Sequence, residues 1–410
     1  MSPSLLLTII LLITCLSFAF EQLLDYLNLK SLKQDIPGEI AGFYNAEKYA
    51  QSLEYTREQT RFSFISSSFS FILSIAMLAL GGFGWLDKLL RPFAANEITL
   101  ALLFFGVIMI ASDILSLPLQ WYSTFVIEEK YGFNKTTVKT FISDKLKGYL
   151  LGAIIGGALI SLLIFMVGYI GPDFWIWFGV IAAVLMLLIN MFYISLFLPL
   201  FNKLTPLEEG DLKTAIESFA RKVQFPLDHI FVMDGSKRSK KANAFFSGIG
   251  KKKKIVLYDT LIANHTTEEL VAVLAHEVGH FKKKHIIWSY LLSIVQIFFV
   301  LFVLSRMIFN ENLSLALGGN QQAIHLNLLA FGILFSPISG ITGLLMSVLS
   351  RKNEYEADAY ARETFDGNAL ATALKKLSVD TLSNLYPHPA YVFFHYSHPT
   401  LLQRLNRLNQ

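Results

Sequence analysis

The chain has 410 residues, of which 53% are hydrophobic and only 16% charged, and its mean hydropathy is +0.49. Soluble domains carry about 25% charged residues, so lipid is expected to cover much of this surface. A net charge of +4 gives no support for a nucleic-acid partner, and one cysteine, Cys15, excludes an intrachain disulfide and a cysteine-rich zinc site.

A membrane crossing needs roughly 20 mainly apolar residues. Seven segments qualify, about Pro3–Phe20, Phe62–Leu86, Ile98–Trp121, Tyr149–Ile170, Phe174–Leu200, Ile286–Phe309 and His325–Ser350. The first ends in "SFA", small residues at cleavage-like spacing, but no Lys or Arg precedes its apolar run as a secretory signal requires. It is therefore read as a retained span, and a lipoprotein role for Cys15 fails on the same missing basic region. The second span is the weakest, diluted by Ser66–Ser68 and paired glycines. Asp113 falls in the middle of the third. An ionisable group at that depth usually faces a bundle interior or a water-filled cavity; a structural Asp capped by neighbouring Ser side chains fits equally well.

Lys and Arg mark the cytoplasmic side of a membrane protein. They crowd the fifth-to-sixth connection (Lys237, Arg238, Lys240, Lys241, Lys251–Lys254, Lys282–Lys284) and the third-to-fourth (Lys130, Lys135, Lys139, Lys145, Lys147). The fourth-to-fifth connection has none and the sixth-to-seventh only Arg306. Seven alternating spans then put the N-terminus outside and the C-terminus in the cytosol. The first connection (Lys30, Lys33, Lys48, Arg57, Arg61) agrees, whereas Lys88 and Arg91 run against it.

Four regions follow: residues 1–202 with spans one to five, a cytosol-facing region 203–285, spans six and seven over 286–350, and C-terminal helices over 351–410. In the second region, the stretch from Pro206 to Leu212 reads as a helix start with acidic residues in its first turn. "HIFVMD", "ANAFFSG" and "KIVLYD" read as a small antiparallel sheet. "TTEEL" is a capping-box start for a helix from about Thr267.

That helix carries "HEVGH". His276 and His280, four apart, share one face and can bind one Zn²⁺, and Glu277, about 100° round, can hold a water against it. A bound zinc lowers its water's pKa to about 7, and an adjacent carboxylate can take the proton. By itself the pattern also fits a helix that happens to hold two histidines. A catalytic zinc needs a third protein ligand, and "NEYEADAYA" after the seventh span offers Glu354 and Asp358 at i, i+4, with Glu356 on another face. Glu354 would ligate zinc and Asp358 would hydrogen-bond the free ring nitrogen of a liganding His. The competing reading is a solvated acidic face paired with Arg351 or Arg362.

Taken together, "YGFNKTT", "NAFF" ahead of "IVLYDTLI", "HEVGHFKKKH", "EYEADAYA" and the terminal "HYSHPTLLQRL" resemble, in order from about Tyr131 to the end, the integral-membrane zinc metalloproteases that include the type-1 CAAX prenyl protease. The resemblance implies a mainly α integral-membrane fold, with seven helices around a large intramembrane chamber and a gluzincin-like zinc region at its cytosolic end. It carries zinc ligation onto His276, His280 and Glu354, the general base onto Glu277, a supporting network onto Asp358 and Arg404, and a place near the scissile carbonyl onto His398. The chemistry of amide hydrolysis also asks for an oxyanion donor besides zinc, although a His before Pro often serves only a turn. "ANAFF" resembles the family's edge strand, to which an extended substrate adds by backbone hydrogen bonds, with Asn243, Ala244 and Phe245 lining the cleft; an ordinary amphipathic hairpin strand looks the same.

The basic clusters lack a nucleic-acid recognition motif and read as headgroup contacts or as attraction for acidic substrates. The expected function is a monomeric zinc endopeptidase with one Zn²⁺ per chain. It would remove the C-terminal tripeptide from prenylated, farnesylated proteins, in the endoplasmic reticulum membrane of a eukaryote or the inner membrane of a bacterium. A quality-control protease for misfolded or translocon-jammed proteins would share every zinc residue. A transporter or structural protein with a non-catalytic zinc motif would keep its function after Glu277→Gln.

Overall fold

The computed structural model describes residues 1–247 and 253–410. Lys251 and Lys252 of the basic run lie outside the described residues. Helices dominate, and six stretches among the described residues are long and apolar enough to cross a membrane: Pro3–Lys30 (α1), Ala46–Ala79 (α2), Glu97–Glu128 (α3), Val138–Phe201, His285–Met307 and Ile324–Thr364.

The difference from the seven expected spans lies in Val138–Phe201. Its 64 residues would reach about 96 Å as a straight helix, three times a bilayer's hydrocarbon core. It breaks at Gly171–Asp173, where Gly171 takes φ 73° and ψ −144°, a conformation that glycine adopts without steric cost. Two apolar helices flank the break, Gly157–Ile170 (α4) and Phe174–Phe192 (α5), and Leu163, Met166, Val167 and Phe174 share one core. The expected fourth and fifth spans fall on either side of this turn.

The second span differs in position. α2 starts at Ala46, capped by the Asn45 side chain accepting from Lys48 N at 2.7 Å, and ends before Gly81 (φ 66°). The segment expected to run on to Leu86 instead becomes a separate helix, Gly82–Leu90. Gly84 there donates to Leu317 O at 2.9 Å, and an added Cβ would meet Gly318 O at 1.9 Å, so only glycine permits this approach. Asp113 is held by Lys145, at 2.7 and 2.8 Å to its two oxygens, by Gln120 at 3.0 Å and by Tyr149. Its serine neighbour Ser116 bonds the backbone of its own helix, so the capping reading gives way to an ion pair. Lys145, read from sequence as part of a connection, lies in a helix, Val138–Leu151.

The sheet is mixed, with order β1-β2-β4-β3: β1 Leu204–Pro206, β2 Leu227–Met233, β3 Ala244–Ser247 and β4 Lys253–Tyr258. β1 and β3 run antiparallel to their neighbours, but β2 and β4 are parallel. The expected antiparallel sheet assumed successive hairpins. The strand between β2 and β4 in sequence instead takes the outer edge, leaving the same-direction pair adjacent. Pro206 pairs with Phe231 in β1, so the next helix (α6, Asp211–Lys222) starts five residues later than its acidic turn suggested.

Against this sheet packs α7, Thr267–Lys282, with its capping box formed: Thr266 Oγ1 accepts from Glu269 N and Glu269 Oε2 accepts from Thr266 N at 3.0 Å. Leu270, Val271, Leu274, Ala275 and Val278 of α7 form one buried core with Ile216 and Phe219 of α6 and Ile255 and Leu257 of β4. α7 leads through a tight turn into α8, His285–Met307. The last apolar stretch is one 41-residue helix, α9, Ile324–Thr364, so the expected seventh span and "NEYEADAYA" form a single rod. The chain closes with α10 Gly367–Asp380, α11 Pro389–His395 and α12 Leu401–Leu408. α1 holds this terminal region: Asn28 Oδ1 accepts from His388 N at 3.1 Å and Ser31 Oγ donates to Tyr386 O at 2.8 Å.

Candidate metal centre

α7 and α9 cross at the centre of the site. Gly279, one turn along from His276, lies so close to α9 that an added Cβ would sit 3.0 Å from Ala357 Cα. This contact sets two ring nitrogens of α7 against one carboxylate of α9. His276 Nε2 and His280 Nε2 are 3.2 Å apart, and lie 3.4 and 3.3 Å from Glu354 Oε2 and Oε1. Each of the three residues offers a ligand atom within 4.8 Å of the others.

The donor chemistry fits a metal. His276 Nδ1 lies 2.9 Å from Asp358 Oδ1, an acceptor only, which puts the ring proton on Nδ1 and the lone pair on Nε2. Two imidazole nitrogens and a carboxylate then converge within 3.2–3.4 Å of one another, with Glu354 Oε2 buried and, among the described residues, lacking a hydrogen-bond partner. A cation in their midst satisfies all three. Without one, a second proton takes its place: burial opposes charge on His276, but Asp358 and Glu354 overcome it and raise the pKa to about 9.

Asp358, 1% exposed, binds Arg404 through Nε at 2.8 Å and Nη2 at 2.5 Å. Arg404 Nη1 stands 3.6 Å from Glu354 Oε2, so the guanidinium ties both carboxylates of α9 together. It comes from the first turns of α12, whose start is fixed by a Thr400–Gln403 capping box. The solvated acidic face is thus ruled out: Arg351 donates instead to the Tyr396 and Val392 carbonyls and Arg362 to Arg407 O.

Glu277 is half-buried, and its carboxyl accepts no hydrogen bond among the described residues. Burial pushes its pKa above the usual carboxylate range, although His276 and His280 pull the other way. His398 lies between α11 and α12, its ring 62% exposed and its Nε2 3.3 Å from Glu354 Oε1. Asn243 is exposed and immediately precedes β3, the edge strand, which among the described residues pairs on one side only. The Ala244 amide bonds the Asn243 side chain at 2.8 Å, and Phe245 packs against Tyr193 and Tyr258. A cavity of about 330 Å³, lined by Pro206, Lys213, Arg221 and His229 among others, shares no residue with this cluster.

Sequence reasoning missed His285, and of Glu356 it said only that it lies on another face of the helix. His280 Nδ1 lies 3.0 Å from His285 Nδ1, and His285 Nε2 lies 3.2 Å from Glu356 Oε2. A fifth-residue spacing sets side chains 140° apart on a continuous helix, so the pair was invisible in "HFKKKH". Lys284 makes it possible: its left-handed backbone (φ 61°, ψ 26°) ends α7 and folds His285 back over His280.

Residues 25–203 match the family described as "CAAX prenyl protease N-terminal, five membrane helices", and residues 206–410 match "Peptidase family M48". The chain is 36% identical over 404 residues to CAAX prenyl protease 1 homolog of Arabidopsis thaliana, covering 96% of this chain and 95% of that one. It is 34% identical over 420 residues to CAAX prenyl protease 1 of Saccharomyces cerevisiae, covering 96% and 92%. The crystal structure of S. mikatae Ste24p superposes with a TM-score of 0.94 at 33% identity, covering 99% of both chains.

Proposed function

We infer that this chain, which belongs to the CAAX prenyl protease group of peptidase family M48, removes the C-terminal tripeptide of prenylated proteins with one Zn²⁺ per molecule. As a member of that family it is a membrane-embedded metalloprotease. The observation that carries the reading is the convergence of His276, His280 and Glu354 beside a half-buried Glu277, at the junction of a soluble core and two membrane helices.

His276, His280 and Glu354 would hold the metal. Zinc held there would supply a water acidified to a pKa of about 7 and a Lewis acid for the scissile carbonyl. Glu277, raised in basicity by burial, takes the water's proton and delivers it to the departing amine. His398 donates to the carbonyl oxygen as negative charge develops on it. The free edge of β3 receives the peptide as an added strand, with Asn243, Ala244 and Phe245 lining it. Asp358 and Arg404 keep the His276 ring turned and its lone pair directed inward.

The membrane helices would enclose a chamber for the lipid, with the site at its cytosolic end. Two features support this. The Asp113–Lys145–Tyr149 cluster requires a protein interior or water at membrane depth, and Lys and Arg concentrate around the metal-bearing region. A sequestered prenyl chain explains the site's location, since each CH₂ moved from water contributes about 0.8 kcal/mol.

The test is cleavage of a farnesylated CAAX peptide and its unlipidated twin by wild-type and Glu277→Gln protein. The expected results are a preference for the lipidated peptide of more than about tenfold, or about 1.4 kcal/mol, and loss of cleavage with metal retained in the variant. Equal cleavage of both peptides would point to a quality-control protease. Unchanged turnover by Glu277→Gln would remove the peptidase mechanism altogether.

A further inference from the structure

We propose that His285 and Glu356 are positioning residues for the metal ligand His280, forming a relay that fixes which of its ring nitrogens carries the proton. The proposal rests on the reading that His276, His280 and Glu354 hold a metal.

The two histidine ligands are supported in different ways. His276 Nδ1 meets a carboxylate directly, Asp358 at 2.9 Å. His280 Nδ1 meets another imidazole, His285 Nδ1 at 3.0 Å. Two ring nitrogens at that distance share one hydrogen, so one must donate and the other accept. To offer Nε2 to a metal, His280 keeps its proton on Nδ1 and donates it, and His285 Nδ1 must then be the acceptor. The His285 proton is thereby placed on Nε2, where it faces Glu356 Oε2 at 3.2 Å, an acceptor. All the hydrogen bonds point one way, from the ligand to the carboxylate. In the opposite sense, a proton on His285 Nδ1 would leave its Nε2 lone pair facing a carboxylate oxygen and would push the His280 proton onto Nε2, where the metal belongs.

Local structure commits the chain to this arrangement. The His285 side chain is 7% exposed and sits at the first turn of α8, directly after the left-handed Lys284. A residue with a Cβ takes that conformation only against steric crowding with its own backbone. Glu356 is two residues from Glu354 on the same rigid helix, so a single element sets the ligand carboxylate and the end of the relay. A surface role for Glu356 is weakly represented: its pair with Lys352 is 3.8 Å long and solvent-exposed, a geometry that contributes little to stability.

The test uses the full chain purified in detergent and measures Zn²⁺ affinity by competition with a chromophoric chelator, without substrate. His285→Phe keeps a flat ring but cannot accept, and a loss of about 10–100-fold is expected. His285→Gln presents an acceptor oxygen towards His280 and a donor towards Glu356, and it should recover most of that loss. Glu356→Ala should lose a smaller part, and Glu356→Gln, which still accepts, should match wild type. The proposal is overturned if His285→Phe and Glu356→Ala both bind Zn²⁺ within about threefold of wild type. It is equally overturned if His285→Gln is no better than His285→Phe, which would make the role one of packing. Should His285→Phe fail to fold, the Glu356 pair decides. A wild-type chain that binds no Zn²⁺ would refute the metal centre itself, a distinct outcome.

Discussion

Asp358→Asn is the sharpest probe of the metal centre, because the change is nearly isosteric and its cost follows from hydrogen-bond direction. Asp358 Oδ1 accepts from His276 Nδ1 (2.9 Å) and Arg404 Nη2 (2.5 Å), and Oδ2 accepts from Arg404 Nε (2.8 Å). Asparagine keeps one acceptor and turns the other position into an NH₂ donor. In one flip it opposes Arg404 Nε–H; in the other it opposes His276 and Arg404 Nη2. Each lost charged hydrogen bond is worth about 1.5–3 kcal/mol, and Arg404 is left buried without a charged hydrogen-bond acceptor of its own, Glu354 standing off at 3.6 Å. We expect Zn²⁺ affinity to fall about 10–100-fold, and stability to fall by up to about 3–5 kcal/mol, the cost of breaking a buried ion pair from one side. Chelator competition measures the first and thermal unfolding of the metal-free protein in detergent the second. Replacing both partners, Asp358→Leu with Arg404→Met, should destabilise less than Asp358→Asn alone, since no charge remains unpaired. Zinc affinity within about threefold of wild type, or a double variant less stable than the single one, would refute the reasoning.

Metal binding should depend on pH through His276: its proton, held to a pKa of about 9, competes with the metal, so affinity should drop up to tenfold for each unit below that pH. The same shift predicts that His276 stabilises the metal-free fold fully below pH about 6.5 and loses that contribution as pH rises through about 9, which unfolding curves across the range would show. Arg351→Ala removes the cation that draws the Val392, Phe393 and Tyr396 carbonyls together ahead of His398; kcat should fall about tenfold or more through misplacement of His398, with Zn²⁺ affinity unchanged. Lys145→Met leaves Asp113 unpaired at membrane depth and should cost about 3–5 kcal/mol, largely restored by adding Asp113→Asn, as thermal unfolding in detergent would report.

What could be read from the sequence was what local periodicity fixes. A helix puts residues four apart on one face, so His276 with His280, and Glu354 with Asp358, were visible as pairs before any fold was known. Thr266 and Glu269 announced the start of α7 because a capping box is complete within four residues. Apolar run lengths gave the membrane helices and the division at Gly171, though not the break at Gly81, where one backbone angle cuts the expected second span short. Tertiary structure decided whatever depends on a second element. The order of the strands made the sheet mixed, and Lys145 rather than neighbouring serines proved to hold Asp113, as an ion pair. It brought Glu354 to the histidines, since crossing helices meet where their small residues allow, here at Gly279 and Ala357. It also revealed His285, because a left-handed turn at Lys284 cancels the helical spacing that pattern reading relies on. The ligands are thus properties of single helices, while the orientation that makes them a site belongs to the contacts between helices.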